Sequence, residues 1–419
     1  MGRPNVLARE ELEIDTHASQ IGEHARIAIV RLSALGDVIN TLPALTALRR
    51  ARPEAHIVWV VEAASAGLLR DHPLLDGLIV VQRKHWAKSL RQLQGVAGSA
   101  SQVRELLQAL RHPPSGRFDV AIDFQGNLRS GLITFMTRAR LRLGLPRKHS
   151  KEMNFLFTNR RVALPDGPVH RVERGLCLLR ACGIDTADAA PVVPVSQAER
   201  EKVDGFLAES GLAGSPFAVI HAGTSAFGRY KQWPNDRWAD VARRLASELG
   251  LRVVLTRGPE PAEGEGAAAI REMVLGRARL LPSHAPTPPE GSAGASPSQD
   301  GSAGASPSQP TASCPIVAPL LSLCELGELF RRARLFLSVD TGPMHLASAV
   351  GAPVVALFGP KDPQVYGPYF GPRAIVEKPV ECRPCRKRSC DDPRCMLAIT
   401  PDDVLGAARH LLDQTADGR

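Results

Sequence analysis

RIAIVRLSALGDVINTLP, Arg26 to Pro43, decides how the chain is read. RIAIVRL is a short apolar run of the kind a buried strand needs, and Ser33, Ala34 and Gly36 then make a small-residue turn. From Val38 the apolar residues of VINTLPALTALRRARP recur at helical spacing, and HIVWVVE, His56–Glu62, is a second buried run. Short strands alternating with helices predict a parallel sheet covered on both faces. Asp37, at the turn, has two readings. It caps the following helix, a role worth about 1 kcal/mol, or it faces a ligand, because such sheets bind ligands where strands end and helices begin. The local sequence leaves both open.

The alternation continues through GLIVVQR, a helical stretch to Leu110, FDVAIDFQG and the helix candidate LRSGLITFMTRAR. A Pro- and Ala-rich passage at 186–200, TADAAPVVPVSQAER, reads as a linker. The pattern then restarts: FAVIHAG, NDRWADVARRLASELG and LRVVLTRG, and later RLFLSVD, TGPMHLASAVG and PVVALFGP. Two halves built alike predict two Rossmann-like domains facing each other. The expected boundaries are a loose tail at 1–24, a first domain at 25–190, a second at 191–400 and a closing helix at 401–419, with Thr400 as its cap and Pro401 at its first position. Within the second domain GSAGASPSQ occurs at 291–299 and again at 301–309. The surrounding 283–313 is expected to be a disordered insertion, because its composition cannot offset the entropy of ordering.

The 419 residues are 44% hydrophobic and 23% charged, enough for a large core and more than one domain. No run approaches the ~20 apolar residues of a membrane span, and the acidic N-terminus lacks the order of a signal peptide. The expected location is therefore cytoplasmic. A net charge of +9 suits anionic partners, but aromatics at 5%, with no basic patch carrying Tyr or Phe to stack bases, argue against nucleic acid.

Two further strand-end loops carry chemistry. HAGTSAFGRYKQWPNDRW sets Thr224, Ser225, Arg229 and Lys231 before a helix. Hydroxyls plus a cation there suit a diphosphate, although a solvated loop with surface cations is the plainer reading and no P-loop order is present. SVDTGPMHLASAVG sets Asp340, Thr341, Gly342 and His345 where a strand meets a helix. Thr341 and the Gly342 backbone suit a phosphate, while Asp340 and His345 orient the loop or a ligand; a buried His bonded to a carboxylate is the structural alternative. No G-x-G-x-x-G follows a predicted strand, which weakens a dinucleotide-dependent oxidoreductase.

RLSALGDVINTLPAL, HRVERG at His170 to Gly175, HAGTSAFGRYKQWP and VDTGPMHLASAVGAPVVALFGPKDP, in that order, resemble glycosyltransferase family nine, the lipopolysaccharide heptosyltransferases, over residues 26 to about 415. The resemblance implies an α/β GT-B fold of two facing Rossmann-like domains. The N-terminal domain would hold the acceptor, the C-terminal domain ADP-heptose, and the closing helix would pack back toward the first domain. It implies an inverting transfer of heptose from ADP-heptose to the Kdo inner core on lipid A, at the inner face of the cytoplasmic membrane, with no cofactor or metal required. Asp37 falls on the general base and Lys231 on the diphosphate cation. Thr224, Ser225, Asp340, Thr341, Gly342 and His345 match the donor site. Ser33, Gly36, Arg129 and Arg147 are the expected acceptor contacts, the last two from a basic run that also holds Arg138, Arg140, Arg142, Lys148 and Lys151. A GT-B transferase using another nucleotide sugar in envelope glycan synthesis is the alternative.

Two features depart from the family pattern. For the donor ribose the chain offers Glu260, Glu263 and Glu265, of which Glu260 is the assigned candidate. Cys382, Cys385, Cys390 and Cys395 have a C-x2-C start compatible with a structural zinc, a reading kept beside that of a reduced structural segment. Cys177, Cys182, Cys314 and Cys324 read as small core residues.

Overall fold

Because β-branched and other apolar residues fill whole runs without alternating, each run predicts a strand buried on both faces, and the computed structural model has that architecture. It describes residues 21–82, 96–111, 113, 116–276, 314–385 and 389–416. The first twenty residues of the expected tail and the expected insertion at 283–313 lie outside the described residues. Residues 21–24 are not loose: Ile21 is buried and its carbonyl accepts a hydrogen bond from Arg52 Nε at 2.6 Å.

Two compact units share the chain. The first holds β1 (Arg26–Val30), β2 (His56–Glu62), β3 (Gly77–Val81), β4 (Val120–Asp123), β5 (Leu141–Gly144) and β6 (Arg160–Arg161), all parallel, in the order β3-β2-β1-β4-β5-β6. Ile27 sits between Ile57 and Val120 in register, and Ile27 to Val30 are fully buried. The second holds β7 (Phe217–His221), β8 (Arg252–Leu255), β9 (Ile316–Val317), β10 (Leu335–Val339), β11 (Val354–Phe358) and β12 (Arg373–Glu377), in the order β12-β11-β10-β7-β8-β9. Both orders are the Rossmann one. In each sheet the winding reverses between the unit's first and fourth strands, which opens a crevice at the carboxyl ends of those strands.

The units divide inside the expected linker, between Ser196 and Gln197, but the second is not continuous in sequence: Ser322–Gly327 and Gln364–Phe370 belong to the first unit. The latter segment is tied to His170, whose Nε2 lies 3.0 Å from the Gly367 carbonyl, and to Arg171, which donates to the Tyr366 hydroxyl at 3.1 Å. The closing helix, Pro401–Ala416, starts as expected, with Thr400 and Asp403 capping each other. It buries Val404, Leu405, Ala408 and Leu411 in the core of the second unit with Trp238 and Val241, because those four residues form one apolar stripe.

Candidate active site

In the first unit the switch point lies between β1 and β4. Arg31, the first residue after β1, is almost fully buried, at 4% exposure. Its carbonyl accepts from the Trp59 indole at 3.0 Å, one terminal nitrogen donates to the Phe124 carbonyl, and the other meets Asp37 Oδ1 at 2.7 Å. From the β4 side, Gln125 Oε1 accepts from the backbone N–H of Leu32 at 2.7 Å and of Ser33 at 3.3 Å, fixing the turn. Gln125 is held in turn by the buried Asp123 carboxylate, which accepts from Gln125 N at 2.9 Å, Gly126 N at 3.0 Å, Ser130 Oγ at 2.9 Å and Asn154 Nδ2 at 2.6 Å. Burial pushes the Asp123 carboxyl pKa up against these bonds.

The helix Leu35–Ile39 is capped at Ala34, without a side-chain bond, and Asp37 stands in its first turn. Its carboxylate pairs with Arg31 while 31% of the side chain stays exposed. A pocket of about 340 Å³, mouth included, is lined by Arg31, Asp37, Asn40, Phe124, Arg171 and Arg174, among others. Of the expected acceptor contacts, Ser33 and Gly36 are partly exposed in the turn. Arg129 and Arg147 are not among the pocket's lining residues: Arg129 donates to Glu62 at 2.7 Å, and Arg147 lies over the Phe155 ring at 5.3 Å. The cations beside Asp37 are instead Arg31 and two residues of HRVERG.

In the second unit the switch point lies between β7 and β10, and Lys231 bridges it. Its ammonium donates to Asp340 Oδ2 at 2.7 Å and to the Asp340 carbonyl at 3.2 Å, with both side chains largely buried. His345 Nε2 approaches Asp340 Oδ1 at 3.9 Å. Thr341 is the N-cap of the helix Gly342–Ala349, and its hydroxyl shares a 3.1 Å hydrogen bond with Ser338, which donates to the His221 carbonyl at 2.8 Å.

Beside this bridge a pocket of about 470 Å³, mouth included, is lined by Gly223, Thr224, Asn235, Thr256 and Glu263, among others. Thr224 Oγ1 is buried there and, among the described residues, has no hydrogen-bond partner, so a ligand oxygen or N–H could satisfy it. Ser225 is exposed and outside the lining. Of the three glutamates, Glu263 lines this pocket, whereas Glu260 is outside the lining and exposed before the helix Pro261–Val274 begins. Glu263 Oε2 accepts from Gly258 N at 2.8 Å, and a Cβ at Gly223 or Gly258 would stand 2.7 Å from that oxygen, so both glycines make room for the carboxylate. Burial, aided by Glu260, raises the Glu263 pKa. Behind it His221 is buried, with Nδ1 3.1 Å from Thr256 Oγ1 and Nε2 3.6 Å from Glu263. Burial lowers its pKa to about 4, so the imidazole is neutral near pH 7 and this approach is a polar contact.

Of the four crowded cysteines, Cys382 and Cys390 are exposed, Cys385 is half-buried and Cys395 is buried. Burial raises the Cys395 pKa, and Cys382 and Cys390 lie near enough to add to that shift. Among the described residues no group of three or more His, Cys, Asp or Glu is arranged to hold a metal. Cys177, Cys182 and Cys324 are buried as expected, while Cys314 is half-buried.

Solved structures share this architecture. A glycosyl transferase family 9 protein from Veillonella parvula superposes with a TM-score of 0.68 at 23% identity, covering 93% of this chain and 98% of that one. The E. coli heptosyltransferase WaaC with ADP gives 0.66 at 23%, covering 92% and 99%. The fold is GT-B. A family model described as glycosyltransferase family 9 (heptosyltransferase) matches residues 103–283 and 295–395, and the chain belongs to that family. It is 30% identical over 396 residues to lipopolysaccharide heptosyltransferase 1 of Pseudomonas aeruginosa, covering 90% of this chain and 96% of that protein. To the E. coli K12 protein of the same name it is 27% identical over 359 residues, covering 85% and 94%. The chain is thus a glycosyltransferase of the heptosyl-transferring kind.

Proposed function

We propose that the protein transfers heptose from ADP-heptose to the Kdo inner core of lipopolysaccharide, with inversion, working as a peripheral protein at the inner face of the cytoplasmic membrane. The observation that carries this reading is Lys231 bridging the second switch point beside a pocket with the Glu263 carboxylate and a buried Thr224 hydroxyl that has no hydrogen-bond partner among the described residues. A cation and a helix start suit a diphosphate, and a carboxylate suits the hydroxyls of a ribose. In the first unit Asp37 is a carboxylate partly open to a pocket and steered by Arg31.

In the reaction an acceptor hydroxyl attacks the anomeric carbon of heptose. The new C–O bond forms as the bond from that carbon to the diphosphate oxygen breaks, and the electron pair leaves with ADP. Asp37 takes the hydroxyl proton. Lys231 stabilises charge growing on the diphosphate, and the N–H groups at Gly342 add to it. A single displacement from the face opposite ADP inverts the anomeric centre.

The test is incubation of the purified protein with ADP-heptose and Kdo-lipid A, with product read by mass spectrometry. Asp37→Ala is expected to lower turnover about 10²- to 10⁴-fold with ADP affinity unchanged. A thermal-shift panel decides the donor: stabilisation by a uridine- or guanosine-linked sugar in preference to ADP-linked ones would move the protein to the alternative, another envelope-glycan transferase.

A further inference from the structure

Three guanidinium groups and a single carboxylate line the pocket at Asp37. Arg31, Arg171 and Arg174 all line it. Arg31 commits its terminal nitrogens to Phe124 and Asp37, and among the described residues its buried Nε has no hydrogen-bond partner. Arg174 donates through Nε to the Val169 carbonyl at 3.1 Å, and among the described residues no hydrogen bond or ion pair engages its terminal nitrogens. Burial lowers the pKa of both Arg31 and Arg174, and the Arg171 cation lowers each further. Partly desolvated guanidinium groups crowded in this way cost free energy that a bound anion would relieve. The expected acceptor cations are placed otherwise, Arg129 on Glu62 and Arg147 over Phe155.

We propose that the Arg31, Arg171 and Arg174 pocket receives an oxyanion of the acceptor, a carboxylate or a phosphate, and so sets a neighbouring hydroxyl beside Asp37. The proposal rests on the reading of Asp37 as the base and adds what selects the substrate. A guanidinium fork matches the paired oxygens of either group. Arg174, with its uncommitted nitrogens, is the principal contact. Arg31 divides its bonds between the carboxylate and the β4 end, and therefore links the anion site to the base.

The test uses the full chain with ADP present and a deacylated Kdo-bearing acceptor in three forms: intact, methyl-esterified at its carboxylates, and dephosphorylated. Binding is read by calorimetry. Arg174→Ala is expected to weaken the intact form about 10- to 100-fold, and Arg174→Lys to recover part of that loss. The loss disappears with the esterified form if the pocket takes a carboxylate, and with the dephosphorylated form if it takes a phosphate. Equal weakening of all three forms, no weakening of any, or no detectable binding of the intact form to the wild type overturns the proposal. If Arg174→Ala does not fold, as judged by circular dichroism and ADP affinity, Arg174→Gln replaces it under the same criteria. Transfer is measured in parallel. Selective binding without heptose transfer refutes the reaction and leaves the pocket standing, whereas transfer that is indifferent to esterification and dephosphorylation refutes the pocket alone.

Discussion

Asp37 could serve its own helix or a ligand, and the side chain that pairs with its carboxylate is Arg31. A buried guanidinium tied to the Phe124 carbonyl has one direction left for its other terminal nitrogen, and Asp37 meets it there. Arg31 was legible in the sequence only as one letter of the run RIAIVRL, since nothing local says that an arginine will be buried. The same holds for Glu263 among three nearby glutamates: burial and two glycines single it out. His221 carries a prediction at this scale. Its pKa is about 4 when folded against an ordinary 6.5, so the unfolded chain binds the extra proton between those values. The neutral imidazole's contribution is complete above pH 6.5, declines as pH falls from 6.5 to 4, and then levels off, a change on the order of 3 kcal/mol. Glu263, with its raised pKa, acts in the opposite sense. Denaturant titrations of wild type and His221→Gln at pH 7, 5.5 and 4 isolate the histidine, and a stability difference that does not vary with pH would falsify its burial as the neutral form.

At the scale of elements, what the sequence made plain were the long apolar runs, because a strand buried on both faces needs nothing beyond its own residues. β6 and β9, two residues each, escaped because their pairing comes from the neighbouring strand and not from their composition. The buried Asp123 escaped too, since its partners Ser130 and Asn154 become neighbours only after β4 and the helix Leu128–Met136 have formed. Gly258 shows how an element boundary shapes the second unit's pocket. It lies in the loop between β8 and the helix Pro261–Val274, and its missing side chain leaves the Glu263 carboxylate its place. Gly258→Ala is expected to displace that carboxylate, the far end of a flexible side chain, and so to change folding stability by less than about 1 kcal/mol. Nucleotide affinity should fall about tenfold, the value of one charge-assisted hydrogen bond. Calorimetric ADP titration beside a urea melt checks both, and unchanged ADP affinity with the carboxylate displaced would remove Glu263 from the nucleotide site.

Taken as a whole molecule, the chain uses one strand order twice, and each copy puts a carboxylate and a cation at its switch point: Asp37 with Arg31, Asp340 with Lys231. The two differ in what they leave open. In the first, guanidinium groups crowd one partly exposed carboxylate; in the second, the ion pair is largely closed and a hydroxyl and a carboxyl line the pocket beside it. A crevice repeated by topology can therefore be divided between two substrates by its side chains alone. If the division is acceptor to the first unit and donor to the second, amide hydrogen exchange should resolve it. ADP at 100 times its Kd stabilises its unit by about 2.7 kcal/mol. Slower exchange is then expected in the segments that follow β7, β8 and β10, and in the helix starting at Gly342. The turn at 31–37 and the β4 end at 123–127 should keep their rates until an anionic acceptor is added. Protection by ADP of 31–37 in preference to the second unit would reverse the assignment, because stabilisation of the native state by a ligand is largest in the segments whose opening breaks its contacts.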